Sequence, residues 1–177
     1  HLPSLQNTNQ KTEETWQTFV TTHLEHFNQT PLEQLATYVA PTWEAIVDTA
    51  IQAEADLETL LKRIRPDAIV LDNVIMFPAI ANAGVPWIRV VSCAETEIPD
   101  ANVPPYLSGM AADDPARAGF EAGYLKTTGP SHRRYNRFRR TCGLADLPEG
   151  QFLEASPHLN LLLAPKAVRY ERAVPLP

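Results

Sequence analysis

"RIRPDAIVLDNVIMFPAIANAGVPWIRVVSC", residues 63–93, is the stretch that decides the fold. "PDAIVLD" is a continuous apolar run of strand length, bounded by Pro66 and Asp72. A run of that kind after a helix reads as a strand buried on both sides. "IMFPAIANAG" fits a short helix closed by Gly84, and "VPWIRVVSC" fits the next strand. Helix, strand, helix and strand in that order imply parallel strands joined by a right-handed crossover. "HLNLLLAP", residues 158–165, reads as a third buried strand. The expected fold is therefore α/β, a Rossmann-like parallel sheet flanked by helices.

Upstream, the first dozen residues are polar and read as loop. From about Thr12 to Asn28, Trp16, Phe19, Val20, Leu24 and Phe27 recur at spacings of three and four, the pattern of an amphipathic helix. "TPLEQL" has the marks of a helix start: Thr30 as N-cap, Pro31 at the first helical position and Glu33 in the capping-box place. Pro41 is expected to break or kink that helix. A second start follows at Ala40, with Trp43, Ile46, Val47, Ala50, Leu57, Leu60, Leu61 and Ile64 along one face. Downstream, residues 94–115 carry Pro99, Pro104, Pro105, Gly109 and Pro115 and read as a long ordered loop, a kind of segment usually tied to function. A helical pattern from Ala116 to Thr141 is expected to be interrupted at Gly129-Pro130.

The chain has 177 residues, 44% hydrophobic and 20% charged, the composition of one soluble globular domain. Its formal charge of −6 is uneven. Residues 1–128 hold seven Lys/Arg against seventeen Asp/Glu, whereas residues 129–177 hold eight against four. Two cysteines do not make a disulfide framework, and their spacing matches no metal motif. No apolar run approaches the roughly 20 residues of a membrane-spanning helix. No transmembrane segment and a cytoplasmic location are the expectations.

The polar tips of the first two strands are where a site is expected. In open parallel sheets, ligands bind outside the carboxyl ends of the strands. Asp72, Asn73, Ser92 and Cys93 all fall at such ends and should share one rim with the Pro-rich loop. A carboxylate at Asp72 has several possible roles: metal ligand, general base, orienting partner of a histidine base, or cap of the following helix. Metal binding needs further ligands, and no second acid lies near Asp72 in sequence. His23 and His26 are spaced for one helix face but have no third ligand in view. Cys93 reads as pocket lining more readily than as a nucleophile, since nothing pairs it with a histidine. Glu95 and Glu97 either touch a polar ligand or are solvated. "HRRYNRFRR", residues 132–140, carries five arginines around Tyr135 and Phe138. With an overall pI near 5.3, its bland reading is a helix whose arginines pair with the acidic remainder, and no nucleic-acid partner is expected.

The order of "PDAIVLD", "FPAIANAGVPWIRVVSC", the loop "VPPYLSGMAADDP" and "EASPHLNLLLAP", together with "YVAPTWEAIVDTA", resembles the acceptor-binding N-terminal domain of UDP-glycosyltransferases, family 1 enzymes of the GT-B fold. It is most similar to the actinobacterial members, and the resemblance covers most of residues 31–175. It implies an inverting glycosyltransferase that moves a sugar from a UDP- or dTDP-sugar to a hydroxyl of an apolar acceptor such as a natural product, sterol or lipid. It implies no cofactor beyond that nucleotide-sugar co-substrate, and no metal. Asp72 matches the family's acid that accepts a hydrogen bond from the catalytic histidine, while Asn73, Phe77, Ser92, Cys93 and Glu95 would lie on the acceptor side. The family's "GH…P" histidine segment and "HCGWNS"-like donor motif have no counterpart here. The expectation is an incomplete GT-B N-terminal domain over residues 1–177, with an N-terminal loop and helix at 1–30 and the start of an interdomain linker at 171–177. Such a chain would be inactive alone. The rival expectation is a self-contained, non-catalytic flavodoxin-like binding or regulatory module.

Overall fold

The structure is a computed structural model and describes residues 17, 18 and 20–177. Trp16 and Phe19 of the first expected helix lie outside the described residues. Residues 20–23 are helical and run into a tight 3-10 turn, Leu24–Asn28. Val20, Leu24 and Phe27 stay exposed, with Phe27 edge-on to Tyr38 at a centroid distance of 4.9 Å.

The capping box forms as the sequence requires. Thr30 Oγ1 accepts from the Glu33 N–H, and Glu33 Oε2 accepts from the Thr30 N–H at 2.8 Å, opening α1 (Pro31–Gln34). The helical path then continues into α2 (Ala40–Ile64) instead of breaking at Pro41. Pro41 has no N–H, and its ring would crowd the carbonyl one turn back. The chain absorbs this in one wide turn, Leu35–Val39, where the Ala40 N–H reaches back five residues to the Leu35 carbonyl. α2 buries Trp43, Val47 and Ala50 and ends at Arg65, whose φ of 52° is left-handed.

Three parallel strands follow in the order β1 (Ile69–Asp72), β2 (Trp87–Val91) and β3 (Leu159–Leu162). The short α3 (Pro78–Ala81) links β1 to β2, and α4 (Arg117–Thr141) links β2 to β3. Pairing runs Val70–Ile88–Leu159 and Asp72–Val90–Leu161 across the sheet. One face therefore carries Ile69, Leu71, Trp87, Arg89, Val91 and Leu162; Ile69, Leu71 and Trp87 pack under α2 and the short helix after β1, and Val91 and Leu162 against Ile98 and Leu153. When successive right-handed crossovers step in one direction, all connecting helices lie on the same side.

The opposite face corrects the sequence expectations that β1 is buried on both sides and that β3 is a buried strand. Val70 is 64% exposed, and Leu159 and Leu161 are also exposed. The apolar run of β1 is an alternation in burial, not a buried block, because no described helix crosses that face.

α4 also departs from expectation. It runs unbroken from Arg117 to Thr141 with Pro130 inside it. The proline removes one backbone bond, but Phe120, Thr128, His132, Tyr135, Asn136 and Arg139 bury one continuous side of the helix. That burial outweighs a single lost turn. The main core joins α2 to α4 through Trp43, Val47, Ala50, Ile75, Phe120, Tyr135 and Phe152. Among the described residues, no helix is long and apolar enough to cross a membrane.

Candidate functional site

The carboxyl ends of β1 and β2 come together on one rim. Ser92 Oγ donates to Asp72 Oδ1 at 2.7 Å, and both residues are exposed. Asp72 does not cap the next helix; α3 begins after Phe77 without a side-chain cap. The local turn is made by Asn73, whose Oδ1 accepts from the Ile75 N–H at 3.2 Å. Cys93 is exposed beside Ser92, with its Sγ 3.9 Å from the serine oxygen.

Two expected site residues have other duties. Phe77 is half-buried between the main core and the cluster under β1 and β2. Glu95 is buried and binds the chain's C-terminal stretch instead of facing the rim. Its Oε2 accepts from the Tyr170 N–H at 3.2 Å, and its Oε1 lies 3.5 Å from Arg172 Nη1. Asp100 extends the same strap by accepting from the N–H groups of Ala173 and Val174, at 2.9 and 3.0 Å.

Beneath the rim lies a buried charge network that the sequence reading missed. Arg89 is fully buried at the centre of β2. Its Nε donates to the Glu154 carbonyl at 3.1 Å, Nη1 donates to the Asn73 carbonyl, and the guanidinium sits over the Trp87 ring. Burial lowers its pKa, opposed by the nearby charges of Glu154, Glu97 and Asp72. Glu154 in turn holds Arg139 in a two-pronged pair, at 2.6 and 3.2 Å. The signal was present in the sequence, since an arginine amid "WIRVV" is a charge in the middle of an apolar strand.

Beside the rim opens a cavity of about 250 Å³. Its walls include Trp43, Val74, Glu97, Tyr106, Tyr124 and Phe152, and the Pro-rich loop contributes Pro99, Asp100, Val103, Pro104 and Pro105. Trp43 and Phe152 stack at 3.9 Å, and Tyr106 meets Trp43 edge-on. Burial pushes the Tyr106 and Tyr124 phenols well above the ordinary tyrosine range, so both remain neutral. Glu97 is only 7% exposed, and burial raises its carboxyl pKa despite the Ala94 N–H that its Oε1 accepts. Asp72, Asn73, Ser92 and Cys93 do not line this cavity; Val74 and Thr96 are its wall residues closest to them along the chain.

The basic stretch of α4 follows its bland reading for three of its five arginines, while Arg133 and Arg137 are exposed and form no ion pair among the described residues. Arg134 pairs with Asp48, Arg139 with Glu154 and Arg140 with Asp146, while Tyr135 is fully buried. His23 and His26 face each other, with their Nδ1 atoms 3.0 Å apart. No protein-family model matches the chain, and none of the curated proteins matches it either.

Proposed function

We propose that this chain forms the acceptor-binding side of an inverting glycosyltransferase of GT-B type, with the sheet as part of a Rossmann-like domain. The single observation that carries the reading is the Asp72 carboxylate. It stands exposed at the tip of β1, steadied by Ser92 from the next strand, and Val74, two residues further on, lines the aromatic cavity. The polar tips of parallel strands are the usual place for a site, and an apolar acceptor fits an aromatic pocket.

In the proposed reaction a histidine imidazole, supplied by polypeptide outside the described residues, takes the proton of the acceptor hydroxyl. The freed oxygen attacks the anomeric carbon of a UDP- or dTDP-sugar, and the nucleoside diphosphate leaves from the opposite face. Asp72 accepts the hydrogen bond of the imidazole N–H, holds its tautomer and stabilises the imidazolium. Ser92 occupies Oδ1 and leaves Oδ2 for the imidazole.

The test is nucleotide release from UDP-glucose or dTDP-glucose with hydroxyl-bearing apolar acceptors. It uses the polypeptide that carries this segment together with a donor-binding half. Transfer should occur there and not with the 177 residues alone. Asp72→Asn should lower turnover by about 10³–10⁴, the scale of losing a histidine-orienting acid. Unchanged turnover in that variant, or no transfer by the longer polypeptide, overturns the reading.

A further inference from the structure

The cavity beside the rim is aromatic in its walls and acidic in its charge. Four carboxylates line it, Glu97, Asp100, Glu121 and Glu149, against one cation, Arg117. That arginine is already committed. Its Nε pairs with Glu121 at 2.9 Å, and Nη1 and Nη2 donate to the carbonyls of Ala101 and Asp100. Asp100 is likewise occupied by backbone N–H groups. Glu97 differs from both: it is nine-tenths buried, and among the described residues its Oε2 accepts no hydrogen bond.

We infer that the cavity selects a compact apolar cation, a ring system bearing a protonated amine, over a neutral ligand of the same shape. A neutral alcohol would fill the aromatic space but bring Glu97 no positive charge besides that of the buried Arg89. An ammonium group adds one, donates to Oε2, and lies within reach of ring faces that attract cations. The volume suits a bicyclic ring with one short arm. This specificity rests on the acceptor-site reading above and narrows it to acceptors that carry an amine as well as a hydroxyl.

The test is isothermal titration of the full chain at neutral pH with 1-naphthylmethylamine and 1-naphthylmethanol, two probes of equal size. The ¹⁵N–¹H signal of the Trp43 indole reports whether binding occurs in the cavity. The amine should bind about tenfold tighter, a difference on the scale of a desolvated charged contact. Both probes should shift the Trp43 signal, and Glu97→Gln should bring the amine-to-alcohol ratio to about one. Thermal melts of that variant show that it folds. Equal or tighter binding of the alcohol, or a preference that survives Glu97→Gln, overturns the charge inference and leaves the acceptor site standing. Failure of both probes to bind, or binding that leaves Trp43 unmoved, removes the cavity from the acceptor-site reading as well.

Discussion

Ser92 Oγ lies 2.7 Å from Asp72 Oδ1, a hydrogen bond between the tips of two neighbouring parallel strands. The sheet register makes it. Asp72 pairs with Val90, so the chain needs only two further residues to bring the serine hydroxyl alongside the carboxylate. Both groups are exposed, so the bond contributes little to folding and serves mainly to fix where the carboxylate points. Asp72→Asn should therefore change the stability of the chain by less than about 0.5 kcal/mol in urea titrations. A cost of several kcal/mol would show a structural role and undercut the site.

The Arg139–Glu154 pair behaves differently because Arg139 is only 3% exposed. Removing the acid leaves a buried guanidinium without its partner. Glu154→Gln should cost about 3 kcal/mol by denaturant unfolding. Replacing both residues, Arg139→Met with Glu154→Leu, should recover most of that loss, because an apolar pair has no charge to desolvate.

His132 gives the fold a pH dependence of defined sign. Its ring is buried edge-on to Phe152 at 5.5 Å, and burial holds its pKa below the ordinary 6.5. As pH falls, the unfolded chain takes up this proton before the folded chain does. The stability contributed by neutral His132 is thus fully present above about pH 6.5 and is lost as pH drops toward the depressed folded value. The buried carboxyls of Glu54 and Glu97 have raised pKa values and act in the opposite sense. The readout is therefore a difference: between about pH 5.5 and 7.5, melting temperature should fall more steeply with acid in the wild-type chain than in His132→Gln.

Glu95 and Asp100 together strap residues 170–174 onto the loop after β2. Arg172→Ala removes the guanidinium that lies beside Glu95 and donates to the Ile98 carbonyl. Amide hydrogen exchange should then quicken at Tyr170, Ala173 and Val174, while protection at Leu71 in the sheet is unchanged. Uniform loss of protection would mean that the strap supports the whole domain.

The two faces of the sheet predict a contrast in mutational cost. Leu71, buried on the covered face of β1, should lose about 2–5 kcal/mol on truncation to alanine. Leu161, exposed on the open face, should lose no more than about 0.5 kcal/mol by the same change. Equal costs at the two positions would show that the open face is covered in solution.

Local chemistry was legible in the residues themselves. Thr30, Pro31 and Glu33 specify a helix start because each satisfies or removes an orphan N–H within four residues of chain. The apolar runs around Asp72 and Ser92 specify parallel strands because a helix-sized connection lies between them, and that placed both polar tips on one rim. What sequence alone could not decide were balances struck between distant segments. Pro130 stays helical because α4 buries a long side against α2, and Pro41 is absorbed by one wide turn. Glu95 turned from a rim residue into an anchor because Arg172, 77 positions later, returns to it. The partners of Arg89 likewise come from Asn73 and Glu154, on separate parts of the chain. Spacing along a chain encodes the elements, because their hydrogen bonds are local. Burial and charge pairing belong to the tertiary structure, because they depend on which remote surfaces meet.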